Sequence, residues 1–194
     1  MAVSKGQSVE AMQNTYGEGC REFGENRAQE MRAKISHLPQ DCRWHFLGRL
    51  QKNKVAKVLD CCLIHSVDSL ELAESIHVAS LSQGSVTSIL LQLNLLQDPA
   101  KQGFSLDQAE QFREKLFSLS HLRIEGVMTI APHTENLEEV RRCFRQTADL
   151  LQRWRHIPGI PGYFREISMG MSRDFGIAIE EGATWLRIGS LLYS

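Results

Sequence analysis

A chain of 194 residues, 42% of them apolar and 23% charged, is long enough for one folded domain, residues 1–194, with a sizeable core. A net charge of −1 gives no global attraction to nucleic acid or anionic membrane, and no window is long and apolar enough to span a bilayer. The five cysteines are odd in number and form no Cys-x-x-Cys pair, and no secretory leader is visible, so the chain reads as a cytoplasmic protein with reduced thiols rather than a disulfide frame or zinc site.

Taken from the front, Ala2-Val3-Ser4-Lys5 reads as the tail of a buried strand that delivers one lysine to its end. A lysine carried into a barrel mouth and partly stripped of water has its ammonium disfavoured, and the neutral amine can then attack a carbonyl. Lys5 is therefore a candidate Schiff-base residue for an aldehyde cofactor, although a solvated strand-end lysine would leave the same four letters. Since Met1-Ala2-Val3 falls inside an element, the sequence predicts a helix and the front of this strand ahead of Met1, and an open seam without them.

Ser8 caps a helix of Val9, Met12 and Tyr16 that stops at Gly17 or Gly19. Residues 21–26 are a short strand, 27–35 a helix and 43–50 a strand followed by a turn. Asn53 caps a helix of Val55, Val58 and Leu59. Strand 63–67 leads to Asp68-x-x-Glu71, a capping box opening a helix with Leu72 and Ile76 on one face. Residues 86–94 are a β-rich run, and Ser105-x-x-Gln108 is a second capping box ahead of Ala109, Phe112, Leu116 and Leu119. Strand 124–130 precedes the longest helix, capped by Asn136-x-x-Glu139, with Val140, Phe144, Leu151 and Trp154 on its inner face. After a break at 158–161 come strand 166–169, a helix capped by Asp174 and ended by Gly182, and a last strand over 185–193.

Eight strand candidates alternate with seven helices. That pattern points to an α/β protein, a closed (β/α)8 TIM-type barrel lacking its amino-terminal helix and the start of its first strand. An open doubly wound sheet is the runner-up, but neither Gly-x-Gly-x-x-Gly nor Gly-x-x-x-x-Gly-Lys occurs.

In such a barrel the chemistry sits at the carboxyl ends of the strands. Those ends read Lys5, Asn26, His45, Ser66, Asn94, Thr129, Ser168 and the run 187–190. Ser168-Met169-Gly170-Met171-Ser172 and Gly189-Ser190 stand where loops often hold a phosphate. Small residues there bring backbone amides to an anion, and hydroxyls add donors. Arg187 adds fixed positive charge, for a phosphate oxygen or a pyridine nitrogen. Tight turns and close packing explain Gly170 and Gly189 equally well. His45, between Trp44 and Phe46, reads as a hydrogen-bonded structural residue, and Gln51-Lys52-Asn53-Lys54 with Lys57 as a solvated helix start. The seven histidines show no metal-ligand spacing.

Several segments match a known family in order: Ala2-Val3-Ser4-Lys5, Phe23-Gly24-Glu25-Asn26, Trp44 to Lys54, His65 to Ser69, Ser168 to Ser172 with Asp174, Ala178-Ile179-x-x-Gly182, and Arg187-Ile188-Gly189. With these the chain resembles the pyridoxal phosphate homeostasis proteins, single-domain relatives of the alanine racemase amino-terminal barrel. The resemblance implies a barrel that binds pyridoxal 5'-phosphate, with Lys5 as the Schiff-base lysine and Asn26 lining the pocket. Ser168, Gly189 and Ser190 would hold the phosphate, helped by amides near Met169 and Gly170 and by Ser172, with Arg187 close to the cofactor. It further implies a cytoplasmic monomer that buffers the cofactor and delivers it to apo-enzymes, with no nucleic acid or membrane partner and no established turnover. Gly6 and Ser190 depart from the family, which usually has threonine at both positions.

Two other functions compete. An amino-acid racemase needs a second proton donor and acceptor opposite the lysine, and none of Tyr16, Tyr163 and Tyr193 is placed for it by the sequence. A barrel that binds another phosphorylated metabolite without covalent chemistry would show no colour.

Overall fold

The computed structural model describes residues 1–193, in which eight parallel strands follow one another in sequence order. The strands are β1 (Ala2–Val3), β2 (Glu22–Glu25), β3 (Arg43–Phe46), β4 (Leu63–Val67), β5 (Thr87–Leu93), β6 (Leu122–Thr129), β7 (Glu166–Met171) and β8 (Trp185–Arg187). Around them lie α1 (Val9–Gly17), α2 (Ala28–Ile35), α3 (Leu70–Ser82), α4 (Leu106–Phe117), α5 (Leu137–Arg155), α6 (Phe175–Glu180) and a single turn, α7 (Ser190–Tyr193). Parallel neighbours require a crossover between them, and the alternation supplies one each time, giving the TIM-type barrel.

The expected open seam is closed. Ala2 bridges Ile188 in parallel, Val3 N donates to Ile188 O at 2.7 Å, and Ile188 N donates to Met1 O at 3.2 Å. The Met1 amino group adds a bond to Leu186 O at 2.9 Å. A first strand of two residues therefore suffices, because both its edges are paired.

Strand parity sorts the side chains into two layers. Leu63, Leu90 and Met128 cluster with Ile130 and Trp185 inside the barrel. Phe23, Trp44, Phe46, Ile64 and Ile167 belong to the larger core between sheet and helices. α5 contributes most to that outer core, through Val140, Phe144, Thr147, Leu151 and Trp154 at three- and four-residue steps. Trp154 stacks on Phe164 at 5.9 Å and donates its indole N–H to Glu110 Oε1 at 3.0 Å.

Several boundaries differ from the sequence reading. The reciprocal capping box at Ser105 and Gln108 and the Asn136 cap form as expected. At α3 the cap is Ser69, whose hydroxyl accepts from Leu72 N at 3.3 Å, rather than Asp68. Asn53 lies within a 3-10 helix, Lys52–Lys57, that buries only Val55, too little apolar surface to hold a full α-helix. Asp174 stands at the N-cap of α6 as expected, but its side chain makes no cap bond; its Oδ1 accepts from Met171 N at 2.6 Å and so closes the turn after β7. The last strand stops at Arg187, and Leu192 N and Tyr193 N bond back to Gly189 O, which winds the tail into α7. Among the described residues, no helix is long and apolar enough to cross a membrane.

Candidate functional site

Parity along β1 decides which way its lysine goes. Ser4 points outward into the sheet–helix layer, so Val3 and Lys5 share the other face and line a cavity at the barrel mouth. The cavity is about 310 Å³ and is also lined by Asn26, Leu47, Ile130, Met171, Ser172, Arg187, Gly189 and Ser190. Lys5 itself is exposed, which corrects the expectation that the barrel strips it of water. It also borders a second recess, beside Gly6, Asn26, Arg27 and Glu30. A larger groove of about 540 Å³ between Leu95, Leu106 and Gln146 lies on the outer helices and gathers no lysine or hydroxyl.

Of the residues singled out in the sequence, Lys5, Asn26, Ser172, Arg187, Gly189 and Ser190 come together at this cavity. Ser168, Met169 and Gly170 do not line it. The reason is that β7 runs to Met171, two residues past the expected end. Ser168 is fully buried inside the barrel, and Met169 is fully buried in the outer core. Gly170, at φ +86°, has no room for a side chain: a Cβ there would sit 2.4 Å from that of Ala178, so the glycine lets α6 close on β7. The hydroxyl of the segment that reaches the cavity is that of half-buried Ser172, which accepts from Gly189 N and Leu191 N, each at 3.3 Å, and ties the loops after β7 and β8 together.

Arg187 supplies the charge of the site. It is 6% exposed and donates to Ser168 Oγ at 2.8 Å and to Thr129 O at 2.9 Å. Among the described residues no carboxylate lies within ion-pair distance of it. Burial lowers its pKa to about 10, opposed by the charge of Asp174. Only two of the five guanidinium donors are used by these bonds. A buried cation with free donors and no counter-charge at the wall of an open cavity has the chemistry to receive an anion.

Below Arg187 the barrel interior is polar. Ser168 Oγ lies 2.8 Å from His65 Nδ1, His65 Nε2 3.0 Å from His45 Nδ1, and His45 Nε2 2.6 Å from Glu22 Oε2. His45 is thus the hydrogen-bonded structural residue that the sequence suggested. Trp185 covers the pair, its ring 4.8 Å from that of His45. Burial holds the His65 pKa well below its ordinary value, and the charges of His45 and Arg187 add to the effect. For Glu22, burial acts upward, but the bond from His45 and the charges of His45, Arg43 and the Met1 amino group outweigh it and hold the carboxyl below its usual range.

The whole chain, residues 1–194, matches the family model for the alanine racemase N-terminal domain. It is 38% identical to the pyridoxal phosphate homeostasis protein of Aquifex aeolicus over 198 residues, covering 100% of the chain and 85% of the relative. The chain belongs to this family. Its fold superposes on PipY of Synechococcus elongatus without PLP at a TM-score of 0.94 and 38% identity, and on PipY with PLP bound at 0.88 and 37%, covering 100% of this chain and 91% of PipY each time. Alanine racemase from Bartonella henselae, at 14% identity and a TM-score of 0.73 over 99% of this chain and 53% of the racemase, shares the fold.

In this member of the pyridoxal phosphate homeostasis family the site also rests on residues that sequence reasoning missed. Glu25, fully buried, accepts from Ser4 Oγ at 2.7 Å, from Lys34 Nζ at 2.6 Å and from Asn26 N at 3.3 Å. Lys34 reaches in from α2 and also donates to Ser4 O at 2.7 Å. The cluster therefore clamps the residue before Lys5 to the residue before Asn26. Parity held the signal: Glu25 lies two residues from core Phe23 and must face the helices with it.

Proposed function

We propose that this chain binds pyridoxal 5'-phosphate through a Schiff base on Lys5, and that it holds and releases the cofactor for apo-enzymes instead of turning over a substrate. The observation that carries this reading is the convergence of Lys5 and Arg187 on one cavity of about 310 Å³, with Ser172, Gly189 and Ser190 between them. A primary amine, an anion receptor and two hydroxyls fit an aldehyde that carries a phosphate. The group would supply its aldehyde to Lys5, the amine displacing one water as the C=N bond forms. Ser172, Ser190 and the amides they neighbour would hold the phosphate, Asn26 would line the ring, and Arg187 would face either the phosphate or the pyridine nitrogen. PipY, similar to this chain over 91% of its own length, has been seen with PLP bound, and the relatives are named for pyridoxal phosphate homeostasis.

A two-base racemase would need an acid opposite Lys5. No tyrosine, histidine or cysteine lines the cavity among the described residues. Tyr16 donates to Asp41 at 2.9 Å, and Tyr163 lies under the Arg123 guanidinium at 4.0 Å. This favours holding over proton transfer. We place the protein in the cytoplasm as a monomer.

The test is an absorbance spectrum of the full chain mixed with pyridoxal 5'-phosphate, before and after borohydride, for wild type and Lys5→Ala. An imine band fixed by borohydride on Lys5, absent in the variant, and no inversion of added L-amino acids is the expected result. A band that survives Lys5→Ala, or steady inversion of an amino acid, overturns the reading.

A further inference from the structure

The barrel interior holds a continuous line of hydrogen bonds from Glu22 to Arg187, of which only Arg187 lines the cavity and enters the cofactor-binding reading. Its direction follows from counting donors and acceptors. Glu22 is held as a carboxylate and only accepts, so His45 Nε2 carries a proton. Arg187 only donates, so Ser168 Oγ accepts from it at 2.8 Å and must place its own proton elsewhere. The remaining neighbour of that hydroxyl is His65 Nδ1, which therefore accepts. A neutral His65 with a bare Nδ1 carries its proton on Nε2 and gives it to His45 Nδ1. Every polar atom is then satisfied in one direction: Ser168 to His65, His65 to His45, His45 to Glu22. The reverse orientation sends a His65 N–H and an Arg187 N–H to the same hydroxyl oxygen and leaves the hydroxyl proton without an acceptor.

We propose that Glu22, His45 and His65 are a positioning relay that orients the Ser168 hydroxyl, and through it the Arg187 guanidinium, toward an anion in the mouth cavity. None of the three touches the cavity. Their effect passes through one oxygen. With the Ser168 proton drawn toward His65, both lone pairs of Ser168 are free for Arg187, which is fixed by that bond and by Thr129 O. The guanidinium is thereby held in one plane, and its remaining donors keep one orientation before any ligand arrives. Trp185, tilted against the His45 ring at 4.8 Å and edge-on to the His65 ring at 6.3 Å, packs beside both imidazoles and limits their turning. The proposal deepens the cofactor-binding reading but depends only on its anion-receptor half, so inorganic phosphate serves as the probe.

The first measurement needs no variant. Long-range proton–nitrogen NMR spectra of the full chain, labelled with 15N-histidine, are expected to show both His45 and His65 with a protonated Nε2 and a bare Nδ1, and saturating inorganic phosphate is expected to shift the His65 Nδ1 resonance. The second measures phosphate affinity. His65→Leu removes the acceptor for Ser168 and is expected to bind phosphate about tenfold more weakly, whereas His65→Asn, whose side-chain oxygen can accept in place of Nδ1, is expected to restore most of the affinity. A purely structural role would weaken both variants alike or neither. A proton on Nδ1 of His65, or equal affinities for the leucine and asparagine variants, overturns the relay. If His65→Leu fails to fold, the wild-type tautomers still decide. If phosphate shifts His65 but no Lys5-dependent imine forms, the relay stands and the cofactor reading falls; an imine without a His65 response gives the converse.

Discussion

Lys34 Nζ lies 2.6 Å from Glu25 Oε1 in a layer where Glu25 is fully buried and Lys34 almost so, directly behind the strand that presents Lys5. Two charges taken out of water in this way are tolerated because each finds further partners: Ser4 Oγ and Asn26 N on the carboxylate, Ser4 O on the ammonium. Removing one of them strands the other. Lys34→Met is expected to destabilise the chain by about 3–5 kcal/mol, and Glu25→Gln to do nearly as much. Lys34→Met combined with Glu25→Leu is expected to cost less than the two single changes summed. Urea unfolding of the four proteins gives the coupling directly. Additive costs would mean that the pair does not clamp the ends of β1 and β2.

Gly6 follows Lys5 with φ +71°, in the left-handed region, and nothing lies within 4 Å of the place where a Cβ would go. Space is therefore not the constraint; backbone conformation is. The family resemblance expects threonine here, and a β-branched residue is poorly suited to this φ. Gly6→Thr is expected to destabilise by about 1–2 kcal/mol or to shift the Lys5 loop to negative φ. Thermal unfolding measures the first, and a slower or faster reaction of Lys5 with pyridoxal 5'-phosphate reports the second. A variant unchanged in both would show that the loop does not hold this turn in solution.

Much of this was readable in the chain, and the failures share a cause. The alternation of β-rich runs with amphipathic segments points to a parallel sheet, and eight such runs to a barrel, whatever the exact ends. Lys5 and Arg187 fall at the carboxyl ends of strands, the end of a barrel where ligands sit. What could not be read was which face each polar residue takes. β7 continues to Met171, and that exchange of an end for an interior makes Ser172, not Ser168, the hydroxyl that lines the cavity. Leu191 and Leu192 looked like strand but are exposed on α7. His45 reads as a bonded structural residue, but its partners Glu22 and His65 are not legible as such in short mixed strands. Only closure of the barrel turns them inward, where they satisfy one another instead of water.

Arg187 is held by two bonds in different directions, one to a hydroxyl and one to a carbonyl. A lysine keeps the charge but is a single point on a flexible stem, and it cannot span both acceptors while facing a ligand. Arg187→Lys is accordingly expected to weaken binding of pyridoxal 5'-phosphate by about 2 kcal/mol, the scale of a hydrogen bond to a charged group, and Arg187→Met by more. Calorimetric titration of both variants checks this. Equal affinity for Arg187→Lys and wild type would show that charge alone, not the fork, makes the receptor.

His65 gives the stability of the chain a defined pH dependence. It is fully buried, and burial, with the charges of His45 and Arg187, keeps its folded-state pKa well below the ordinary 6.5. In the unfolded chain the ring takes up a proton as pH falls through about 6.5; in the folded chain it does not until much lower. Between those two pH values the unfolded state binds more protons, so stability falls as pH falls, by up to about 1.4 kcal/mol per pH unit from this one group. Glu22 works in the same direction at lower pH, since its folded pKa is depressed and its contribution is lost only as pH drops through the carboxylate range. Between pH 6.5 and the carboxylate range, the slope of unfolding free energy against pH is therefore expected to shrink by close to one proton in His65→Asn. An unchanged slope in that window would mean that the buried imidazole is already protonated in the folded chain, and that His65 Nδ1 donates to Ser168 instead of accepting from it.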